Sequence, residues 1–174
     1  MTEAQLEGAW LEDGDVLLSL CGSFDQLTCT RGGVSAQGAQ WWGMGQTLWQ
    51  TQPLFRSTIE ACSRHIEQQL GWSLVAELAA PREQSQLHKI EVSLPAIISI
   101  EIAVSALWRS FGIEPACVIG HSTGEIAAAH VAGVLSLEDA MRTICAYGRI
   151  IAKQRGRGVM GVVGLSLEQA AEAL

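Results

Sequence analysis

The sequence predicts an α/β fold, and three observations carry that prediction. Helical periodicity recurs through the middle of the chain, short apolar runs of strand length stand between the predicted helices, and a glycine-flanked turn joins one such strand to a helix. Helices that alternate with strands in this way are typical of the α/β class. Residues 1–30 show no extended periodicity, so we treat them as a poorly defined N-terminal segment.

The middle of the chain predicts three helices. Pro53 to Leu70 carries apolar residues at three-to-four spacing, which indicates an amphipathic helix, and Trp72 to Leu78 predicts a shorter one. Pro95 is predicted to open a third helix in the first turn, where proline is favoured, and Gly112 to end it. Because this third helix is apolar almost all round, we expect it to be buried at the centre of the fold.

The second half predicts a strand at Ala116 to Ile119 and a helix that leaves the turn at Glu125 and ends near Gly133. Ser136 with Asp139 resembles a capping box, which predicts a further helix that runs to about Lys153.

The last residues predict the opening of another unit. Gly156 to Gly158 indicates a hinge-like break, Val159 to Leu165 a strand, and Leu167 to Leu174 a helix capped by Ser166. One strand and one helix cannot bury an apolar face alone, so we expect them to dock on the main body or the natural sequence to continue.

Composition excludes several classes of protein. A net charge of −7 without a Lys/Arg cluster argues against nucleic-acid binding. The five cysteines form neither a disulfide framework nor a metal-ligand pattern, which predicts reduced thiols in a cytoplasmic protein, with Cys117 and Cys145 as small buried hydrophobes. No signal peptide is visible, and Glu101 interrupts the apolar run from Ala96 to Trp108 well short of a membrane span.

The turn from Gly120 to Gly124 has the pattern Gly-x-Ser-x-Gly, with Ser122 at its centre. A serine at a tight strand-to-helix turn holds its hydroxyl above the sheet and near a helix N-terminus, and the glycines leave room for the turn. Positive dipole and free N–H groups at that terminus suit the oxyanion that forms when an acyl carbonyl is attacked. The predicted chemistry is acyl transfer through a covalent ester on Ser122.

Two motifs in this order resemble those of acyltransferase domains. Residues 35–45, Ser-Ala-Gln-Gly-Ala-Gln-Trp-Trp-Gly-Met-Gly, resemble the Gly-Gln-Gly-x-Gln loop that opens such domains, although Ala36 replaces its first glycine. Residues 120–133 resemble their nucleophile motif. Residues 34–174 as a whole are similar to the first half of the acyltransferase domain of modular polyketide synthases, and more distantly to animal-type fatty-acid synthases and bacterial malonyl-CoA:acyl-carrier-protein transacylases.

This resemblance implies an α/β-hydrolase-like large acyltransferase subdomain at residues 31–157, truncated at the start of a ferredoxin-like small subdomain at residues 158–174. It implies that Ser122 is the nucleophile and that the backbone N–H groups of Gln37 and Thr123 form the oxyanion hole. The serine would take an acyl group from acyl-CoA and pass it to the phosphopantetheine thiol of an acyl carrier protein, with no bound cofactor or metal. Further synthase domains would be partners if the chain is part of a longer one.

Departures from the family pattern qualify these expectations. The family's catalytic histidine lies about a hundred residues beyond the serine, and none of the four histidines, His65, His88, His121 and His130, matches it, so we expect the isolated chain to be inactive. Leu94 stands in place of an active-site glutamine, and Tyr147 stands where extender-unit enzymes usually keep a carboxylate-binding arginine. We expect Tyr147, His121 and Leu94 to contact the substrate. We expect Tyr147 to favour a non-carboxylated acyl group, or to alter the choice of extender unit, because a phenol offers no bidentate charged pair.

Two alternatives remain open. The chain could be a non-catalytic remnant or a carrier-binding module, since the histidine is missing. An α/β-hydrolase or thioesterase would share the Gly-x-Ser-x-Gly turn, but it would need acid and histidine partners after the serine.

Overall fold

A computed structural model describes residues 19–21, 31–34, 40–115, 117–154, 156, 166, 168–169 and 172. Within them it contains three strands, which are β1 (Ser19–Cys21), β2 (Arg31–Val34) and β3 (Cys117–Gly120). The helices of the same residues are α1 (Gln46–Thr51), α2 (Pro53–Leu70), α3 (Leu74–Ala79), α4 (Ile90–Ser110), α5 (Gly124–Val131) and α6 (Leu137–Ala152).

The described strands form one sheet in the order β1-β2-β3. β2 and β3 are parallel, with Gly32 opposite Val118, and the chain between them contains α1 to α4. This helical crossover confirms the α/β class, since parallel neighbours cannot be joined by a tight turn. β1 pairs antiparallel with β2 and was not predicted. Three residues are too few to show the alternation by which a strand is recognised in a sequence.

α4 is the central helix of the core, as its composition predicts. Ile98, Ile100 and Ala103 have no exposed surface, and α2, α5 and α6 all pack against this helix. Of the helices in the described residues, α4 alone is long and apolar enough to cross a membrane. However, 83% of its most apolar 18-residue stretch is buried inside the protein. Its apolarity therefore reflects its position between other helices.

The predicted start of α4 is wrong. The helix begins at Ile90, and Pro95 lies inside it rather than in its first turn. The first four N–H groups of any helix lack an internal partner, so a proline at the sixth position removes only one early hydrogen bond. The Pro95 carbonyl in turn accepts a bond of 2.7 Å from the buried Ser99 hydroxyl. The residues of α4 around Pro95 are buried against other helices, and this packing keeps the chain helical on both sides of the proline.

The other helices agree more closely with the sequence. α2 has the predicted bounds, and α6 is capped as predicted, because Ser136 Oγ accepts from the Asp139 N–H at 3.0 Å and donates to its carboxylate at 2.7 Å. α3 begins two residues later than predicted, since Ser73 is its N-cap. α1, for which no helix was predicted, begins after Gly45, whose φ of 75° is in the left-handed region.

The predicted C-terminal unit lies largely outside the described residues. The hinge at residues 157 and 158 and the strand at 159–165 belong to this part. At the predicted cap, Ser166 Oγ accepts from the Gln169 N–H at 3.2 Å and Gln169 Oε1 accepts from the Ser166 N–H at 3.0 Å. These reciprocal bonds are those of a capping box.

Candidate active site

The connection from β3 to α5 is a sharp turn centred on Ser122. Ser122 has a φ of 55°, the left-handed region that residues other than glycine rarely adopt, and it is exposed. The Gly124 N–H donates to the His121 carbonyl at 3.0 Å, and the Glu125 N–H donates to the Ser122 carbonyl at 3.1 Å. The backbone thus reverses within four residues and presents the serine hydroxyl at the start of α5, as a nucleophile elbow does.

Gly120 makes this turn sterically possible. A Cβ at that position would overlap the backbone N and Cα of Glu125 and would lie 2.6 Å from the carbonyl carbon of Gly124. The end of β3 is therefore in direct backbone contact with the first turn of α5. The first glycine of the Gly-x-Ser-x-Gly pattern is needed for that approach.

Thr123 follows Ser122, the predicted nucleophile, and is the N-cap residue of α5. Its N–H donates to no acceptor in the described part of the chain. Its side chain is 7% exposed, and its buried Oγ1 also has no hydrogen-bond partner there. A free N–H at a helix N-terminus, next to the Ser122 hydroxyl, suits a developing oxyanion. Gln37, the other predicted oxyanion donor, lies outside the described residues.

No base for Ser122 is found among the described histidines. The Ser122 hydroxyl makes no hydrogen bond within the described residues, although His121 is its exposed neighbour. His130, at the other end of α5, has its Nδ1 3.0 Å from the carbonyl oxygen of Leu135. This contact ties His130 to the loop after α5.

The remaining predicted site residues lie on α4 and α6, which pack against each other. Leu94 is 1% exposed and belongs to the hydrophobic core, whereas Tyr147 is 41% exposed on α6. Arg149 lies two positions after Tyr147 on the same helix. Its Nη1 donates to the Gln69 carbonyl of α2 at 3.4 Å, so its guanidinium is directed towards α2. The structure thus brings His121, Ser122 and Thr123 into one turn, and it places Leu94 and Tyr147 on separate elements.

The cysteines differ from one another in environment. Burial raises the pKa of the Cys62 thiol to about 12 and that of Cys145 to about 11, so neither is a nucleophile at neutral pH. Cys145 is buried as predicted, but Cys117 is exposed, and its predicted burial is wrong. β3 has apolar side chains on both faces, and only the tertiary structure shows which face is covered. No cluster of metal-ligating side chains occurs in the described residues.

A groove that the sequence did not predict lies at the C-terminal end of α5, whereas Ser122 lies at its N-terminal end. It has a volume of about 410 Å³ and lies between α2, α4 and α5, with Leu54, Ile102 and His130 among its lining residues. Its members come from three helices distant in sequence, so no local pattern could have indicated it.

The chain matches known acyltransferases. The model of the family described as "Acyl transferase domain" matches residues 34–173. Erythronolide synthase EryA3 of Saccharopolyspora erythraea is 44% identical over 79% of this chain and 4% of its own length, and Mycoketide-CoA synthase of Mycobacterium tuberculosis (strain ATCC 25618 / H37Rv) is 37% identical over 89% of this chain and 4% of its own. The chain therefore spans a small fraction of these relatives.

A solved structure with a similar fold is a loading acyltransferase from the avermectin modular polyketide synthase. Its TM-score is 0.68 at 38% identity, over 71% of this chain and 39% of that one.

Proposed function

The chain belongs to the acyl transferase domain family, and on that premise we propose that it is an acyltransferase segment of a polyketide synthase in which Ser122 carries the acyl group as an ester. The observation that supports this proposal best is the φ of 55° at Ser122. A serine is held in so unfavourable a conformation only where the surrounding structure requires it, and here the result is an exposed hydroxyl at the N-terminus of α5.

In the first half of the reaction, Ser122 Oγ attacks the thioester carbonyl of an acyl-CoA. The carbonyl oxygen becomes an oxyanion that accepts from the Thr123 N–H and, by the family resemblance, from the Gln37 N–H. The tetrahedral intermediate collapses, the C–S bond breaks, and coenzyme A leaves as its thiol after it takes up the serine proton. An acyl ester on Ser122 remains.

In the second half, the phosphopantetheine thiol of an acyl carrier protein attacks that ester. A new C–S bond forms, the ester C–O bond breaks, and the thiol proton returns to Ser122 Oγ. Two transfers between a serine and a thiol replace one direct exchange between two thiols.

The proton of Ser122 needs a base, and the described residues provide none that is hydrogen-bonded to it. We therefore propose that the chain by itself is nearly inactive and forms the ester only very slowly, because removal of one member of a catalytic triad costs several orders of magnitude in rate. A histidine from another part of an acyltransferase domain would complete the site.

The acyl group that we propose is a non-carboxylated one. Tyr147 offers a single hydroxyl, and Arg149 on the same helix donates to the Gln69 carbonyl. A free carboxylate such as that of a malonyl group would find no bidentate cation at these two positions. By the family resemblance, His121 and Leu94 are proposed as further substrate contacts.

The remaining family features are proposals of the same kind. We place residues 31–157 in an α/β-hydrolase-like large subdomain and residues 158–174 at the start of a ferredoxin-like small one. The substrates are acyl-CoA and carrier-protein phosphopantetheine, with no bound cofactor, and the location is the cytoplasm.

Labelling of the protein with radioactive acetyl-CoA or malonyl-CoA tests the function and the acyl group together. We expect label on Ser122 over hours, more from acetyl-CoA than from malonyl-CoA, and none with Ser122→Ala. Tyr147→Arg should raise labelling from malonyl-CoA, whereas Ile150→Arg, which adds the same charge at another exposed position of α6, should not.

Label on Ser122 mainly from malonyl-CoA would refute the substrate assignment. No label at all, together with measurable binding of an acyl carrier protein, would favour the non-catalytic carrier-binding module. Turnover of a p-nitrophenyl ester that depends on Ser122 would instead indicate a hydrolase.

A further inference from the structure

The loop of Gln37 begins beside the turn of Ser122. Val34, the last residue of β2, lies opposite Gly120, the last residue of β3, and the two strands are parallel. Both strands therefore end at the same edge of the sheet. Gln37 follows Val34 by three residues, and Ser122 follows Gly120 by two. Strand pairing thus fixes the point from which residues 35–39 leave the sheet.

The segment that follows this loop, residues 41–46, is held in place by one buried side chain. Met44 has no exposed surface and belongs to the hydrophobic core. Around it the Met44 N–H donates to the Trp41 carbonyl at 3.3 Å, and the Gln46 N–H donates to the Gly43 carbonyl at 3.1 Å. These are bonds of short turns within the segment. A single buried side chain fixes where the segment lies, but it leaves rotation about that point.

Two side chains, one on each side of Met44, fix this orientation by contacts with the end of α3. Trp42 Nε1 donates to the Ala80 carbonyl at 2.9 Å, and Gln46 Nε2 donates to the Leu78 carbonyl at 3.4 Å. Ala80 is the C-cap residue of α3, and Leu78 lies in its last turn. Carbonyl groups at the end of a helix lack partners within it, so they are available to these two donors.

The Trp42 indole is 44% exposed, so its bond to Ala80 directs the ring more than burial does. We propose that Trp42 and Gln46 are positioning residues: they fix the downstream end of the Gln37 loop and so hold the Gln37 N–H at the oxyanion. A donor stabilises the transition state only when it is already aimed at the developing charge. This inference rests on the proposed function, in which that N–H is one of two oxyanion donors.

A thiol in place of Ser122 makes the oxyanion hole measurable without a histidine. In the Ser122→Cys chain the introduced thiol ionises near its ordinary pKa of about 8.5 and needs no base. The thiolate attacks the carbonyl of isotopically labelled acetyl-CoA, a new C–S bond forms, the old one breaks, and coenzyme A leaves as a thiolate that takes up a proton. Mass spectrometry of peptides then gives the rate of acetylation at each position.

Trp42→Phe in the Ser122→Cys chain keeps an aromatic ring but removes the indole N–H. We expect the maximal rate of acetylation at the introduced thiol to fall about tenfold, since complete removal of one oxyanion donor costs about 10²–10³ in rate and a displaced donor costs less. The acetyl-CoA concentration for half-maximal rate should not change, because the contact is made in the transition state. The exposed Cys117 is an internal reference whose acetylation should stay the same.

Gln46→Glu tests the second contact, because it replaces the donor to the Leu78 carbonyl by an acceptor that this carbonyl repels. We expect it to slow acetylation of the introduced thiol about threefold or more. Trp108→Phe is the matched control: it makes the same change on α4, where the ring contacts Phe111 edge to face, and should alter neither rate. Circular dichroism shows which variants fold, and Gln46→Glu decides alone if Trp42→Phe does not.

An unchanged rate at the introduced thiol in folded Trp42→Phe would overturn the inference and leave the proposed function standing. So would a change in the half-maximal concentration alone, which indicates substrate binding, or an equal slowing at Cys117 or in Trp108→Phe, which indicates a general loss of structure. Acetylation of the introduced thiol no faster than that of Cys117, before any further substitution, would instead refute the oxyanion hole, and with it both the proposed function and this inference.

Discussion

Gly120 and Glu125 are in backbone contact across the nucleophile turn, so closely that a single added Cβ at Gly120 would overlap the Glu125 N and Cα atoms. The contact joins the end of β3 to the first turn of α5 and fixes the direction in which the helix leaves the sheet. It explains why Ser122, between the two, must adopt a positive φ. The stability of the fold and the exposure of the nucleophile are thus linked through one glycine.

Gly120→Ala should be strongly destabilising because the overlap is with backbone atoms that cannot move aside. We expect the free energy of unfolding to fall by about 3 kcal/mol or more, which is the upper end of the range seen when a side chain is added to a tightly packed site. Gly133→Ala is the control: its φ is 78°, but a Cβ there has no atom within 4 Å. That variant should lose only about 1 kcal/mol from the left-handed conformation. Equal losses in urea unfolding would contradict the overlap.

Ser122→Gly should stabilise the protein relative to Ser122→Ala. Glycine adopts the φ of 55° without the cost of about 1–2 kcal/mol that other residues bear. Its greater freedom in the unfolded chain offsets about 0.4–1 kcal/mol of that gain. A net difference of about 1 kcal/mol is expected from urea midpoints, while both variants should abolish labelling. If alanine proved as stable as glycine, Ser122 would not be strained.

Arg109 should matter more to stability than its ion-pair partner. Arg109 Nη2 donates to the carbonyl of Val131, the last residue of α5, at 2.6 Å, and Arg109 Nε donates to Glu114 at 3.2 Å. The Glu114 side chain is 67% exposed, so that pair is screened by water. We expect Arg109→Ala to cost about 1.5 kcal/mol and Glu114→Gln less than about 0.5 kcal/mol in thermal or urea unfolding. The reverse order would show that the ion pair is the stabilising contact.

The buried thiol of Cys62 should make stability fall in mild alkali. Burial raises its pKa from 9.0 to about 12, so above pH 9 the unfolded chain releases a proton that the folded chain retains. The contribution of Cys62 is therefore fully present below pH 9 and is lost as pH rises from 9 towards 12. Between pH 8 and pH 10 the free energy of unfolding should decrease by about 1 kcal/mol on this account.

Urea unfolding at the two pH values measures this decrease. In Cys62→Ala the free energy of unfolding should be lower at both, because a cavity remains, but its change with pH should be smaller than in the unaltered chain. In Cys117→Ala, which removes an exposed thiol, the change with pH should be the same as in the unaltered chain. An identical pH dependence in all three proteins would contradict the assignment.

Several parts of this protein were predictable because their signals are local. The amphipathic α2, the Ser136 cap of α6 and the Gly-x-Ser-x-Gly turn each depend on residues within a few positions of one another. The family followed from two such motifs taken in order, and the match over residues 34–173 confirms it. The site roles of Gln37, Leu94 and Tyr147 stay predictions, because they depend on where a substrate lies.

The errors have a common cause in contacts between distant residues. Pro95 was predicted to begin a helix, yet packing of α4 on all sides holds it inside one. Cys117 was predicted to be buried, yet it is exposed on β3. Neither outcome can be derived from residues nearby in the sequence. Each depends on which face of a helix or strand is packed against another helix or strand.

The class of the fold, the Gly-x-Ser-x-Gly turn and the family are readable from the sequence alone, since all three depend on short-range patterns of glycine, serine and apolar residues, whereas the role of Ser122 as nucleophile stays a prediction. The tertiary structure adds that Ser122 has a positive φ and that, among the residues the structure describes, the Thr123 N–H donates to no acceptor and β3 has an unpaired edge. Burial and strand pairing depend on contacts between residues that are distant in the sequence, and the φ of Ser122 depends on the close backbone approach of Gly120 to Glu125.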